Sequence, residues 1–350
     1  MTCFKTLLAA GLAAAGLLAQ LPAPAGAPLR DLAARRGIHI GTAINPVALK
    51  NDAGYRETAA REFNQIEPEN AAKFGPIHPQ QDTYNFAPVD DLAQFVENHN
   101  MVLRGHTLVW HNQNPAWLVN GKFTSAQLSE ILHSHIQTVV SRYAGRIYAW
   151  DVVNEAFEDD GSLRKTIWAN TPGIGLEGTA YIEQAFRWAH AADPKALLFY
   201  NDYDAEPVNP KSDAIYRMAR DFKARGVPID GIGLQMHLTT QGGPMESIDA
   251  NIQRLTDLGL EVQYTELDVR LPLASGQPSA ESLAAQAKIY GEVAALCLKH
   301  KLCTAIQTWG FTDKYSWIPG WYHGMGAALE FDPGFQPKPA YRAMADALMK

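Results

Sequence analysis

Cysteine is scarce, with three in 350 residues. No histidine cluster stands beside Cys297 and Cys303, so neither points to a zinc site. Positive charge is short as well: 30 Lys and Arg stand against 37 Asp and Glu, for a formal net charge of −7. A chain with no basic stripe is not built for a nucleic-acid partner. Runs of like charge and low-complexity tracts are missing, and with them any tail that would dock another protein. No apolar run reaches the roughly 20 residues of a membrane span. No glycine-rich phosphate turn follows an early strand, which removes the main support for a dinucleotide-binding open sheet.

What is present is ordinary globular material, 47% hydrophobic and 19% charged, enough for a large core. The first residues stand apart. Lys5 gives a positive start, Leu7 to Ala19 is apolar and uncharged, and Ala25-Gly26-Ala27 offers small residues for cleavage. Gln20, Pro22 and Pro24 interrupt the run too early for an anchor. The expectation is a secretory signal peptide over residues 1–27, which takes Cys3 with it, and a catalytic domain over 28–350. The protein would then work secreted or in the periplasm, with no membrane contact after cleavage. In an exported chain, Cys297 and Cys303 are expected to form a disulfide that closes a short loop.

From residue 37 onward, short apolar runs alternate with longer amphipathic ones. The strand-like runs are Ile38 to Ala43, Gln65 to Glu69, Met101 to Trp110, Ile147 to Glu155, Ala196 to Asn201, Gly231 to His237, Glu261 to Asp268 and Cys303 to Trp309. Helical patterns lie between them, such as Ser125 to Tyr143, Thr179 to Ala192, Asn209 to Arg225 and Ser279 to His300. Eight strands alternating with helices predict an α/β protein with a parallel sheet closed into a single (β/α)8 TIM barrel. Polar residues gather at the ends of these runs: Glu69 and Asn70, His106 and Trp110, Asn154 and Glu155, Gln235 and His237, Glu266 and Asp268, and Trp309. Barrel active sites are assembled from several strand ends at one face, so the pattern points to one site.

Two stretches place a carboxylate where a strand should be buried: Trp150-Asp-Val-Val-Asn-Glu-Ala-Phe157 and Tyr264-Thr-Glu-Leu-Asp268. Two carboxyl groups are the minimum apparatus of glycoside hydrolysis, one to protonate the leaving oxygen and one to attack or to activate water. Glu266 and Asp268 are two apart on a strand and share a face. Asn154 and Glu155, adjacent on a strand, should face opposite ways unless the strand breaks there.

The sequence resembles the xylanases of glycoside hydrolase family 10. The resemblance spans about residues 30 to 350. It rests on Phe63-Asn64 with Pro68-Glu69-Asn70 and Lys73, on His106-Thr-Leu-Val-Trp-His111, and on Trp150 through Glu155. It continues in Gly231-Ile-Gly-Leu-Gln235 with His237, Thr265 through Asp268, Trp309-Gly310 with Asp313, Ser316-Trp317, and Pro337-Lys-Pro-Ala-Tyr341. It implies retaining endo-hydrolysis of β-1,4-xylosidic bonds, with Glu155 as acid/base and Glu266 as nucleophile. It also implies a histidine, His237, between Glu266 and Asp268, which keeps the nucleophile charged. Glu69, Asn70, Lys73, His106, Trp110, Gln113, Asn154 and Gln235 would bind sugar hydroxyls on the glycone side. Trp309 and Trp317 would form aromatic walls, and Tyr203 would stack a sugar on the aglycone side. No cofactor or metal is implied. The expected partners are xylan and xylo-oligosaccharides, and the expected state is a monomer. Four positions depart from the family's habit: Glu67, where Thr is common, Ala72 for Met, Phe74 for Trp, and Glu330 in a run that is usually apolar. Two alternatives remain, a β-1,4-glucanase of the same mechanism and a carbohydrate-binding barrel without activity.

Overall fold

A computed structural model describes residues 26–274 and 276–350. The expected signal peptide falls outside the described residues apart from its last two. Eight strands form the barrel: β1 (His39–Ile44), β2 (Gln65–Pro68), β3 (Val102–Val109), β4 (Ile147–Asn154), β5 (Leu197–Asp202), β6 (Gly231–Leu234), β7 (Glu261–Pro272) and β8 (Cys303–Thr308). Each pairs in parallel with the next, and β8 pairs with β1 to close the ring. The strands are covered on both faces, so nearly every residue of β4 and β5 is buried and they read as continuous runs.

Outer helices begin where the sequence supplies caps. Thr124 and Gln127 form a capping box for the helix Ser125–Arg142, and Asn209 and Ser212 do so for Pro210–Ala224. These satisfy first-turn amides that would otherwise lack partners. Helix Ala180–Ala192 buries Tyr181, Ile182, Ala185, Phe186 and Ala189, a stripe of helical period laid on the barrel. The terminal helices, Leu29–Arg35 and Pro339–Met349, pack against each other. Among the described residues no helix is long and apolar enough to cross a membrane.

The barrel's interior carries a polar layer. Gln65 Nε2 donates to Gln307 Oε1 at 2.7 Å, and the Tyr148 hydroxyl donates to Gln65 Oε1 at 2.5 Å. Such groups tolerate burial because they are paired. Toward the C-terminal ends of the strands, this layer gives way to the charged floor of the site.

Two boundaries differ from the sequence reading. The run Gly231 to His237 is broken: β6 ends at Leu234, and Met236 takes a left-handed φ of 63°. The Met236 N–H donates to the buried Glu206 carboxylate at 2.7 Å, and His237–Thr239 then forms a separate short strand beside β7. β7 runs past Asp268 to Pro272, where it pairs antiparallel with Met325–Gly326. The expected disulfide is present: Cys297, near the end of helix Ala280–Lys299, joins Cys303 at the start of β8 with a Cα separation of 5.3 Å.

Candidate active site

The conflict at Asn154 and Glu155 is resolved by the backbone. β4 ends at Asn154, and Glu155 adopts a left-handed φ of 54°. That conformation costs a non-glycine residue roughly 1 kcal/mol or more. It is held by the Glu155 N–H donating to the Asn201 carbonyl at 2.9 Å, and by Arg164 Nε donating to the Glu155 carbonyl at 3.0 Å. The turn aims both side chains into one cleft, where Asn154 Nδ2 donates to Glu155 Oε1 at 3.1 Å. Gln235 Nε2 donates to the same oxygen at 2.9 Å, and Trp110 Nε1 donates to Oε2 at 2.7 Å.

Glu266 is gripped from both sides. Asn201 Nδ2 donates to its Oε1 at 2.9 Å, and His237 Nε2 lies 3.2 Å from its Oε2. The other ring nitrogen of His237 meets Asp268 Oδ2 at 2.9 Å, so one imidazole bridges two carboxylates two residues apart on β7. Burial works against a charged imidazole, but Asp268 and Glu266 outweigh it and hold His237 well above its ordinary value. For Glu266, burial pushes the carboxyl up. The hydrogen bond from His237 and the positive charges of His106, His237 and Lys73 overcome that and leave it below the usual range.

Asn201 links the two carboxylates. Its amide also donates to Asn154 Oδ1 at 2.9 Å, and its own oxygen accepts from the Thr265 hydroxyl at 2.7 Å. Gly233 makes room for it: a Cβ at that position would lie 2.2 Å from Asn201 Oδ1. Neither residue was singled out in sequence as part of the site, although Asn201 closes a strand run as Asn154 does.

The remaining expected residues gather mostly on one side. Lys73 Nζ donates to Asn70 Oδ1 at 2.9 Å and sits over the rings of Trp110 and Trp309, 4.8 and 5.2 Å from their centroids. Burial pulls its ammonium below the ordinary value. Asn70 donates to Glu69 and accepts from Gln113. Burial pushes the Glu69 carboxyl up. Glu69, Trp309 and Trp317 line one hollow. His106 meets the edge of Trp309 at 5.2 Å and hydrogen-bonds Asp151 through Nδ1 at 2.9 Å. Trp317 is fixed by a bond from Nε1 to Asp268 Oδ2 at 2.9 Å and crosses His237 edge-on. Tyr203 is tied to Glu155 through Arg164, which also donates to the Glu155 carbonyl. Its hydroxyl accepts from Arg164 at 3.0 Å, and one face of its ring is taken by the Lys211 ammonium at 3.4 Å.

Beneath the cleft, Arg104 forks across Asp151 and Glu67, all three fully buried. The Phe74 and Ala72 departures are structural: Ala72 is fully buried, and Phe74 stacks on His135 at 3.7 Å.

Two carboxylates tied into one amide network, at the C-terminal mouth of a barrel lined with tryptophan, are the apparatus of a glycoside hydrolase. The chain belongs to glycosyl hydrolase family 10, whose family model matches residues 28–347. It is similar to endo-1,4-beta-xylanase B of Thermotoga neapolitana, 45% identical over 323 residues, which is 92% of this chain and 91% of that protein. It is 40% identical to endo-1,4-beta-xylanase A of Phanerodontia chrysosporium over 91% of this chain and 76% of that one. Among solved structures, it resembles xylanase 10B of Thermotoga petrophila in complex with xylobiose. That similarity has a TM-score of 0.87 at 45% identity and covers 92% of this chain and 97% of that one.

Proposed function

We propose that this chain is a retaining endo-β-1,4-xylanase in which Glu266 is the nucleophile and Glu155 the acid/base. The observation that carries the assignment is the grip on Glu266. Both its oxygens face donors that are themselves anchored, so the carboxylate is charged and aimed before substrate arrives. In the first step Glu266 attacks the anomeric carbon while Glu155 gives its proton to the departing glycosidic oxygen. A xylosyl ester on Glu266 results. In the second step Glu155 takes a proton from water, the water oxygen attacks the same carbon from the opposite face, and the ester bond breaks. Two inversions return the β-anomer. Asn154, set between Glu155 and Asn201, is placed to hold the sugar's 2-hydroxyl, a contact that strengthens in the transition state. Glu69, Asn70, Lys73, His106, Trp110, Gln113 and Gln235 bind the glycone sugars, Trp309 and Trp317 wall them, and Tyr203 takes the first aglycone sugar.

The substrates are xylan and xylo-oligosaccharides, hydrolysed by a monomer exported with residues 1–27 as its signal peptide. The Cys297–Cys303 bridge suits an oxidising compartment. A proton NMR time course on xylan digestion tests the reading: β-anomer as first product is expected, and α-anomer contradicts it. Glu155→Gln tests the role of that residue. It should lose roughly 10²–10⁴-fold on substrates with poor leaving groups and far less on activated aryl glycosides, which need little protonation. Equal losses on both would remove Glu155 from the acid/base role.

A further inference from the structure

Glu67, at the position where the resembled family often carries threonine, projects from β2 into the buried floor of the cleft. Its Oε2 accepts from Arg104 Nη1 at 2.8 Å, while its Oε1 has no hydrogen-bond partner among the described residues and lies 3.8 Å from His106 Nδ1. That nitrogen also meets Asp151 Oδ2 at 2.9 Å, and Asp151 in turn holds both terminal nitrogens of Arg104. Atoms of Glu67, His106 and Asp151 lie within 4.8 Å of one another, the spacing of a metal-ligand set. The Arg104 guanidinium already binds both carboxylates and supplies the positive charge there.

Charge balance shows what Glu67 adds. Arg104 and Asp151 alone neutralise each other, and an imidazole beside them needs no second proton. With Glu67 the buried group holds two carboxylates against one guanidinium. A net charge sealed from water is strongly disfavoured, so the cluster takes up one more proton. Asp151 is committed to Arg104, which leaves His106 and Glu67 as the groups that can carry it. We propose that Glu67 is a positioning residue for the reaction: it is the second carboxylate that makes His106 meet the glycone sugar as an imidazolium. The proposal rests on the reading of His106 as a sugar ligand. With Nδ1 turned to the two acids, Nε2–H becomes a charge-assisted donor to a hydroxyl, and the ring's charge also supports the anion of Glu266.

The surroundings agree. Glu67 faces Arg104 and His106 from β3, Asp151 and Tyr148 from β4, Glu266 from β7 and Lys73 from the loop after β2. Burial opposes charge on His106, yet the bond to Asp151 and the charges of Glu67 and Glu266 hold it above the ordinary histidine value. Burial lifts Glu67 to about 6, against the pull of Arg104 and His106.

Histidine side-chain ¹⁵N NMR on the full enzyme without substrate reads the protonation directly, with the His106 signals assigned by their loss in His106→Gln. Wild type should show both ring nitrogens of His106 protonated at pH 7. Glu67→Gln, which keeps the shape and the bond to Arg104, should show one. Followed over pH by the same signals, His106 of Glu67→Gln should titrate lower than wild type by about one unit, the lesser end of what an opposite charge at this range does. Glu67→Asp should restore part of the shift. A neutral His106 in wild type at pH 7, or a His106 that titrates alike in wild type and Glu67→Gln, overturns the proposal. If Glu67→Gln does not fold, the wild-type titration still decides. Because that titration uses no substrate, its failure is separable from a failure to hydrolyse xylan.

Discussion

Two buried glutamates in this protein sit in opposite settings. Glu266 on β7 is 5% exposed and Glu330, in the loop after β8, is fully buried. Glu266 faces His237 and Asn201 and the positive charge of Lys73 and His106, and its carboxyl lies below the usual range despite burial. Among the described residues neither oxygen of Glu330 has a hydrogen-bond partner, and burial pushes that carboxyl up to about 8 against the attraction of Lys338. The same side chain is thus a ready anion in one place and a neutral acid at pH 7 in the other. Burial makes a glutamate hold its proton; oriented donors and cations keep it charged.

The comparison is broken most severely by removing the gripped carboxylate. Glu266→Ala should lose several orders of magnitude in kcat on every xylan-derived substrate, because the proposed double displacement passes through an ester on this carboxylate. Steady-state kinetics on activated and unactivated xylobiosides check this; substantial residual turnover on both would refute it. His237→Asn sharpens the comparison by moving Glu266 toward the condition of Glu330. Loss of the bridging charge should cost roughly 10²-fold in kcat/KM, the scale for one oriented donor. Glu266 must be ionised to attack, so raising its proton affinity should shift the acidic limb of the pH profile to higher pH. An unshifted acidic limb would show that His237 only orients the carboxylate.

Trp317 belongs to the same grip through its bond to Asp268. If its ring excludes the hydroxymethyl group of a hexose, the preference for xylobioside over cellobioside is worth about 1–3 kcal/mol, or roughly 5- to 150-fold. Trp317→Ala should narrow that ratio, and Trp317→Phe, which loses the N–H but keeps much of the bulk, should leave it nearer to wild type. A kcat/KM ratio that neither variant changes would move the exclusion elsewhere.

The smallest effect concerns Glu330. An unfolded glutamate ionises near its ordinary value and the folded one near 8, so unfolding releases a proton between those limits. Stability contributed by this site is therefore complete at low pH and is lost as pH rises toward about 8. Glu330→Leu should remove the slope, raising Tm at pH 8 by about 5 °C relative to the change at pH 5, at the few degrees per kcal/mol typical of larger domains. Equal changes at both pH values would show that Glu330 is ionised in the folded protein.

Much of this was legible in sequence for a physical reason. Parallel strands covered on both faces read as unbroken apolar runs, so a carboxylate at the end of one, such as Glu155 or Glu266, stands out. The backbone decisions were not legible. The left-handed turn that brings Asn154 and Glu155 into one cleft occurs at a glutamate, and nothing in the residue type announces it. Met236 breaks the sixth run in the same way. Asn201 was hidden because its task, joining Asn154 to Glu266, exists only once the ends of β4, β5 and β7 converge at one mouth of the barrel. The occupied face of Tyr203 depends on Lys211, which reaches it from the start of the next helix.

The proposed nucleophile can be tested by trapping. A 2-deoxy-2-fluoro-xylobioside with a good leaving group slows breakdown of the ester more than its formation, so the intermediate accumulates. Mass spectrometry of the intact enzyme should show one fluoroxylobiosyl adduct, and peptide mapping should place it on Glu266. Retained anomeric products with no adduct on Glu266, or an adduct on another carboxylate, would contradict the account.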